Sequence, residues 1–122
     1  MTLPREHKTD IINVVDGVDL IGDEETFFSI VSDFIELTAV LLEDVDQALD
    51  TADYELIRFK AHNLKGSSGN LSIHRLYNVG AELEKAVREQ QLSMIPSLVA
   101  EAHREFASLK AHIREKNYPI DL

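Results

Sequence analysis

Apolar positions along the chain recur every three or four residues, and no stretch alternates with period two for long enough to predict a strand. The longest pattern begins after Asp23, a residue suited to an N-cap, with Glu24 and Glu25 in the first turn where the helix dipole favours acid. Phe27, Ile30, Val31, Phe34, Thr38, Leu41, Val45 and Ala48 make one stripe, and Phe28, Ile35, Leu42 and Leu49 widen it. This predicts a helix of about seven turns ending near Asp50, with an apolar face broad enough to meet more than one neighbour. A second helix is predicted from Asp53 or Tyr54, with Ile57, Ala61, Leu64, Ser68 and Leu71 inward. A third, capped by Ser72, carries Leu76, Val79, Gly80, Leu83 and Val87 and ends near Gln90. The fourth, capped by Ser93 with Pro96 tolerated in its first turn, carries Ile95, Leu98, Val99, Ala102, Phe106, Leu109 and Ile113 to about Lys116, and Tyr118-Pro119 ends it.

Ahead of these, the segment from Asp10 to Gly22 has apolar pairs broken by Asp16-Gly17 and closed by Gly22. It is expected to form a short helix that lays Ile11, Ile12, Val15 and Leu20 against the end of the larger body. Residues 1–9 have no periodicity and read as a frayed terminus. The pattern therefore predicts an all-α, antiparallel four-helix bundle of up-down-up-down order over about residues 23–116, with a short N-terminal helical addition and one domain across residues 1–122. One segment resists this scheme. By propensity alone Lys65–Asn70, KGSSGN, is a loop, since Gly66 and Gly69 each cost roughly 1 kcal/mol against alanine inside a helix. If it is helical, those glycines need a reason.

Charge narrows the function. The net charge is −10, and residues 1–50 hold thirteen acids against Arg5 and Lys8, whereas residues 51–122 are almost balanced. No basic stripe is long enough to displace counterions from a nucleic acid, so nucleic acid is excluded as a partner. The acidity reads as a solvated helix face. With no cysteine there is no disulfide, thiolate metal site or cysteine nucleophile. No secretory or membrane-spanning run is present, and the protein is expected to be cytoplasmic and away from membranes.

Candidate chemistry concentrates in Ala61–Asn70, AHNLKGSSGN. On a helix, His62 followed by Lys65 and Gly66 lines up an imidazole, an ammonium and bare backbone on one face, which suits a phosphate better than a core. The stretch AHNLKGSS resembles the signature of histidine-containing phosphotransfer (HPt) domains, the relay modules of multistep two-component signalling. The helical succession from about Asp23 to Lys116, with the histidine helix second and a Gly-Asn-Leu step after the motif, is similar to a whole HPt domain.

That resemblance implies a role for each matching position. His62 would be the phosphorylated residue, its Nε2 attacking the acyl phosphate on a receiver domain's aspartate and then passing the phosphoryl group to a second receiver. Imidazole, with an ordinary pKa of about 6.5, is mostly neutral and nucleophilic near neutral pH. Lys65 would neutralise phosphoryl oxygens, and Gly66 would let the receiver's active site come close. Glu84 falls where family members often carry Glu or Gln facing the histidine, and could accept a hydrogen bond from Nδ1–H; a solvated acid is the alternative. Arg58, Phe59 and Gly69 are the expected receiver-docking residues, with packing against an adjoining helix the alternative for Phe59. Ser72 stands where many members have glycine, and a small change in that turn is expected.

The implied partners are receiver domains of a hybrid sensor histidine kinase and of a response regulator. They would supply the divalent metal, so no cofactor or metal is expected on this chain, which would act as a monomeric carrier without kinase activity; no GxxxxGK loop is present. Met1 and the lack of linker composition fit a free-standing protein, although an excised module of a hybrid kinase would look similar. His7, His74, His103 and His112 have no such context and read as ordinary surface or hydrogen-bonded residues, and no ExxH pattern suggests a di-iron site. The rival from another class is a non-catalytic helical docking or scaffold bundle, a degenerate HPt domain.

Overall fold

Asp23 caps the longest helix as its sequence suggests: its carboxylate accepts the Thr26 N–H at 2.8 Å and the Thr26 hydroxyl at 2.6 Å. In the computed structural model, which describes residues 10–122, five α-helices follow in order: α1 (Val14–Ile21), α2 (Glu24–Asp50), α3 (Tyr54–Asn70), α4 (His74–Arg88) and α5 (Ile95–Lys116), the last entered through a short 3₁₀ turn at Leu92–Met94. No strand occurs among the described residues. The expectation of a frayed terminus concerns residues 1–9 and lies outside them.

Helices α2 to α5 close a four-helix bundle: α3 packs between α2 and α4, α5 between α4 and α2, and α1 leans on α2. The predicted stripes supply the core, except that Ile30 is exposed and Leu41, Leu49 and Val87 are only half-buried, at the margins of the helix contacts. Phe27, Val31, Val45, Ile57, Leu64, Leu76, Leu83, Ile95, Leu109 and Ile113 are fully enclosed, and every predicted inward residue of α5 is buried. Burying a side chain of this size is worth about 1.5–3 kcal/mol relative to leaving it exposed, so the bundle is held by these stripes rather than by propensity.

The helix ends depart from the sequence reading. Four residues other than glycine have left-handed backbones, Ala52, Ser72, Gln90 and Asn117, and each follows or ends a helix. All four belong to the same device. At α3 the Ile73 N–H reaches back to the Ser68 carbonyl at 2.9 Å and the Ser72 N–H to the Gly69 carbonyl at 3.2 Å, and α2, α4 and α5 end in the same pair of bonds. Ser72 therefore does not cap α4. Its φ of +57° is spent on the turn, its carbonyl accepts the Asn13 N–H, and Ile73 takes the N-cap position without a side-chain bond. A left-handed backbone is also why glycine suits this position. Ser93 does not cap α5 either; Met94 does, again without a side-chain bond, while Pro96 sits in the first turn as expected. Helix α4 stops at Arg88, two residues before the expected end.

In α1 the sequence reading is corrected twice. Val15 and Leu20 are exposed, and the helix packs through Val14, Val18 and Ile21 together with buried Ile12. Gly17 does not break the helix but lies inside it, against the Phe27 ring: a Cβ there would stand 2.2 Å from Phe27 Cε1 and 2.5 Å from Cζ. Phe27 is fully buried and its ring has nowhere to go. For Gly17→Ala, overpacking of about 1–3 kcal/mol outweighs the roughly 1 kcal/mol gained in helix propensity. A net loss of up to about 2 kcal/mol is expected, read as a lower urea midpoint with an unchanged slope.

Candidate functional site

The histidine helix continues through the segment that propensity assigns to a loop. Ser68 is fully buried and its hydroxyl bonds back to the Leu64 carbonyl, and Ser67 does the same to Asn63 at 2.8 Å. These bonds satisfy both hydroxyls inside the helix. With Ile57, Ala61 and Leu64 packed on the same face, tertiary burial overrides the cost of Gly66 and Gly69.

What brings α4 to this helix is Gly80. A Cβ at that position would lie 3.1 Å from the Lys65 backbone nitrogen, 3.3 Å from the Ala61 carbonyl oxygen and 3.4 Å from Lys65 Cα. The neighbours are backbone, which cannot fold aside as a side chain could. The bare Cα thus seats α4 on the turn of α3 that carries His62 and Lys65. Glu84, four residues on and on the same face of α4, is delivered to both.

Its two carboxylate oxygens take one partner each. Oε2 lies 2.7 Å from His62 Nδ1, and Oε1 accepts the Lys65 ammonium at 3.0 Å. The Glu84 side chain is only 9 % exposed, whereas that of His62 is 62 % exposed. Glu84 is therefore no solvated acid. Burial alone would raise its carboxyl pKa, but the hydrogen bonds from Lys65 and His62, together with their charges, outweigh burial and hold it below its ordinary value of 4.5. A carboxylate on Nδ1 selects the tautomer with the proton there. That leaves the lone pair on Nε2, which has no partner among the described residues.

The other expected site residues are placed as follows. Gly66 is exposed and a Cβ on it would meet nothing within 4 Å, so packing does not require glycine there. Gly69 lies instead against the Tyr77 ring, where a Cβ would come within 3.1 Å of Cδ2. Arg58 is paired with Glu55 on its own helix. Phe59 is 55 % exposed, one turn before His62, and does not pack into an adjoining helix. Among the remaining histidines, His103 bonds Asp46 across α5 and α2 at 2.8 Å, His112 lies beside Tyr118, and His74 Nε2 is buried without a hydrogen bond among the described residues; His7 is outside them. No three of the described His, Asp and Glu residues are grouped so as to hold a metal ion.

Two features were not read from the sequence as part of the site. Gly80 was assigned to the core stripe, although its spacing of four from Glu84 was visible. An open apolar groove of about 650 Å³ lies between α2 and α3, lined by Ile30, Phe34, Leu37 and Leu41 and bordered on α3 by Lys60, Asn63 and Ser67, a face of that helix turned away from His62. Leu37 and Val40 face outward there, off the inward stripe by which α2 was recognised.

A model of the Hpt domain family matches residues 29–113. The chain belongs to the Hpt domain family. Its fold is similar to that of histidine-containing phosphotransfer protein B from Pseudomonas aeruginosa PAO1, with a TM-score of 0.75 and 24 % identity over 87 % of this chain and 93 % of that one. No curated protein sequence matches it. Membership places this Hpt domain in histidine phosphotransfer within two-component phosphorelays, as a carrier and not a kinase. No helix among the described residues is long and apolar enough to cross a membrane.

The lowered Glu84 pKa has a sign that equilibrium unfolding can check. A carboxyl whose pKa is depressed by folding contributes stability that is fully present above about 4.5 and is lost as pH falls through the lower folded value. The stability of wild type minus that of Glu84→Gln should therefore decline as pH falls below about 4.5, measured by urea unfolding at a series of pH values.

Proposed function

We propose that this Hpt domain carries a phosphoryl group on Nε2 of His62 between aspartates of receiver domains, one in a hybrid sensor kinase and one in a response regulator. The observation that carries the reading is the asymmetry of the imidazole. One nitrogen is anchored on a buried carboxylate and the other is presented to solvent on a helix, so the nucleophile is fixed in direction before a partner arrives.

Lys65, i+3 from His62, is the cation for the phosphoryl oxygens. Phe59, with Leu37 and Val40 on the neighbouring groove, offers exposed apolar surface beside a charged site, the composition expected of a surface that docks a partner. The divalent metal and the phosphorylated aspartate belong to the receiver, and a monomer suits a carrier that docks different receivers in turn. Cytoplasmic location follows from the same reading, since receivers are cytoplasmic modules.

Incubation with a phosphorylated receiver followed by intact-mass measurement at neutral pH tests this. Wild type should gain one acid-labile phosphoryl group and His62→Ala none, with an unchanged circular dichroism spectrum because the side chain is exposed. Lys65→Ala should accept the group more slowly, and wild-type rates in that variant would remove Lys65 from the chemistry. Uptake by His62→Ala would refute the site, and failure of wild type across a broad receiver panel would leave a docking bundle.

Gly66 separates function from stability. Because nothing in the fold opposes a Cβ there, Gly66→Ala should stabilise the domain by about 1 kcal/mol through helix propensity while slowing transfer from the receiver. A variant that was more stable and equally fast would show that close approach at Gly66 is not needed.

A further inference from the structure

We propose that the groove between α2 and α3 is a seat for an amphipathic helix with a basic edge, held while His62 stays open to a receiver. The part that concerns receivers rests on the relay reading; the seat itself does not. It starts from a second stripe on α2. The inward stripe of that helix builds the core, yet Ile30, Leu37 and Val40 are exposed, Leu37 at 69 %, and half-buried Leu41 stands beside them. All four lie within roughly 60° of Leu37 round the helix. Scattered exposed leucines need no explanation, whereas a stripe of them along an apolar groove of about 650 Å³ does.

The stripe gives the occupant its shape. From Ile30 to Asp44 it runs roughly 21 Å, about four turns at 1.5 Å per residue. Steps of three, four and seven residues are those by which one helix packs its ridges into the grooves of another, and by which an amphipathic helix is gripped in a groove.

The rim gives the occupant its charge. Past Val40, on the solvent side of α2, stand Glu36 and Glu43, roughly 100° and 120° from Leu37, with Asp33 at the edge of the stripe. All three are exposed and none has an ion-pair partner among the described residues. Asp44, by contrast, is tied to Lys60 at 3.1 Å. The α3 wall presents Asn63 and Ser67, which carry no charge. A helix that fits therefore carries an apolar face at i, i+3 or i+4 and i+7, and lysine or arginine along the edge that meets α2.

The same rim disfavours other occupants. A second copy of this chain would bring rim acids against rim acids between two molecules of net charge −10, and an anionic membrane surface would meet the same repulsion. A neutral apolar small molecule would fill the groove and leave the rim acids unused.

The seat and the reactive ring are on different flanks of α3. Asn63, Ser67 and Lys60 lie roughly 100°, 140° and 160° round the helix from His62, whereas Phe59, roughly 60° away, stays with the histidine. A helix in the groove leaves Nε2 of His62 open, so the domain holds a tethering segment and serves a receiver at the same time.

The probe is a synthetic helix of about four turns with leucines at three-four spacing and lysines along one edge. It is titrated into the whole chain at low salt, and the leucine and valine methyl groups are followed by NMR. Shifts centred on Leu37, Val40 and Leu41 are expected, and affinity should fall as salt is added because the rim is exposed. Leu37→Asp, an exposed position whose helix content is checked by circular dichroism, should weaken binding by about tenfold or more. A second probe with glutamates in place of the lysines should bind about tenfold more weakly than the first, and the double variant Glu36→Lys, Glu43→Lys should reverse that preference. With the groove saturated, phosphoryl uptake from one purified receiver should keep the rate it has without the probe.

Absence of shifts at Leu37 and Val40, or equal binding of the two probes, overturns the proposal. Self-association of the chain through the same methyl groups would give the groove to a second copy, and loss of phosphoryl uptake with the probe bound would give it to the receiver; each also overturns it. The methyl shifts need no phosphate, so failure of the seat and failure of the relay reading are told apart.

Discussion

The close seating of α4 on α3 is the constraint on which the site depends. Gly80 offers no side chain to the backbone between Ala61 and Lys65, and one turn later the same face of α4 presents Glu84. A carboxylate with its two oxygens committed to His62 and Lys65 is sensitive to the distance between helix axes, because hydrogen bonds weaken steeply with stretching and misalignment. The core stripes of α2 and α5 set the bundle around this pair, and the geometry of the three side chains follows from how near two helices can lie.

A buried acid is ordinarily a liability, since removing a carboxylate from water costs several kcal/mol unless partners compensate. Here the compensation comes from the functional groups themselves. Lys65 and the imidazole N–H make burial of Glu84 tolerable, and Glu84 in return fixes the tautomer of one and the position of the other. The cost is local, met by three side chains on two adjacent helices. The acidic excess of the first half of the chain lies elsewhere, on α1 and α2.

The bundle was legible from the sequence because its stripes are long and regular: α2 begins and ends within a residue of its expected limits, and the inward residues of α5 were identified without exception. The chain's use of glycine made other parts hard to read. Glycine usually marks a stop, yet Gly17, Gly66, Gly69 and Gly80 all lie inside helices, and of the five glycines Gly22 alone has a positive φ. The actual stops are made by Ala52, Ser72, Gln90 and Asn117, of which only serine and asparagine look like turn residues, and a serine ahead of an apolar stripe reads as a cap. Such ends are set by backbone bonds to carbonyls five residues back, which leave little trace in side-chain identity. At the site, His62, Lys65 and Gly66 were legible as a local motif. The pairing of Glu84 with His62 across 22 residues depends on helix pairing and is visible in the sequence only as a resemblance, and its bond to Lys65 across 19 residues is not visible there at all.

The outward ring of His62 sits near the middle of α3, on the flank of the bundle, with a single free nitrogen. On the proposed reading, donor and acceptor meet the same atom over the same patch of surface, so two receivers would not be seated at once. Phosphate would then pass by strict alternation, in a double displacement with an obligatory departure between its halves. Unphosphorylated donor still bound after its own turn would act as a competitive inhibitor of the next, and flux would be governed by how fast partners leave as much as by how fast bonds exchange. One reactive atom on one helix face would set the traffic rule of the relay.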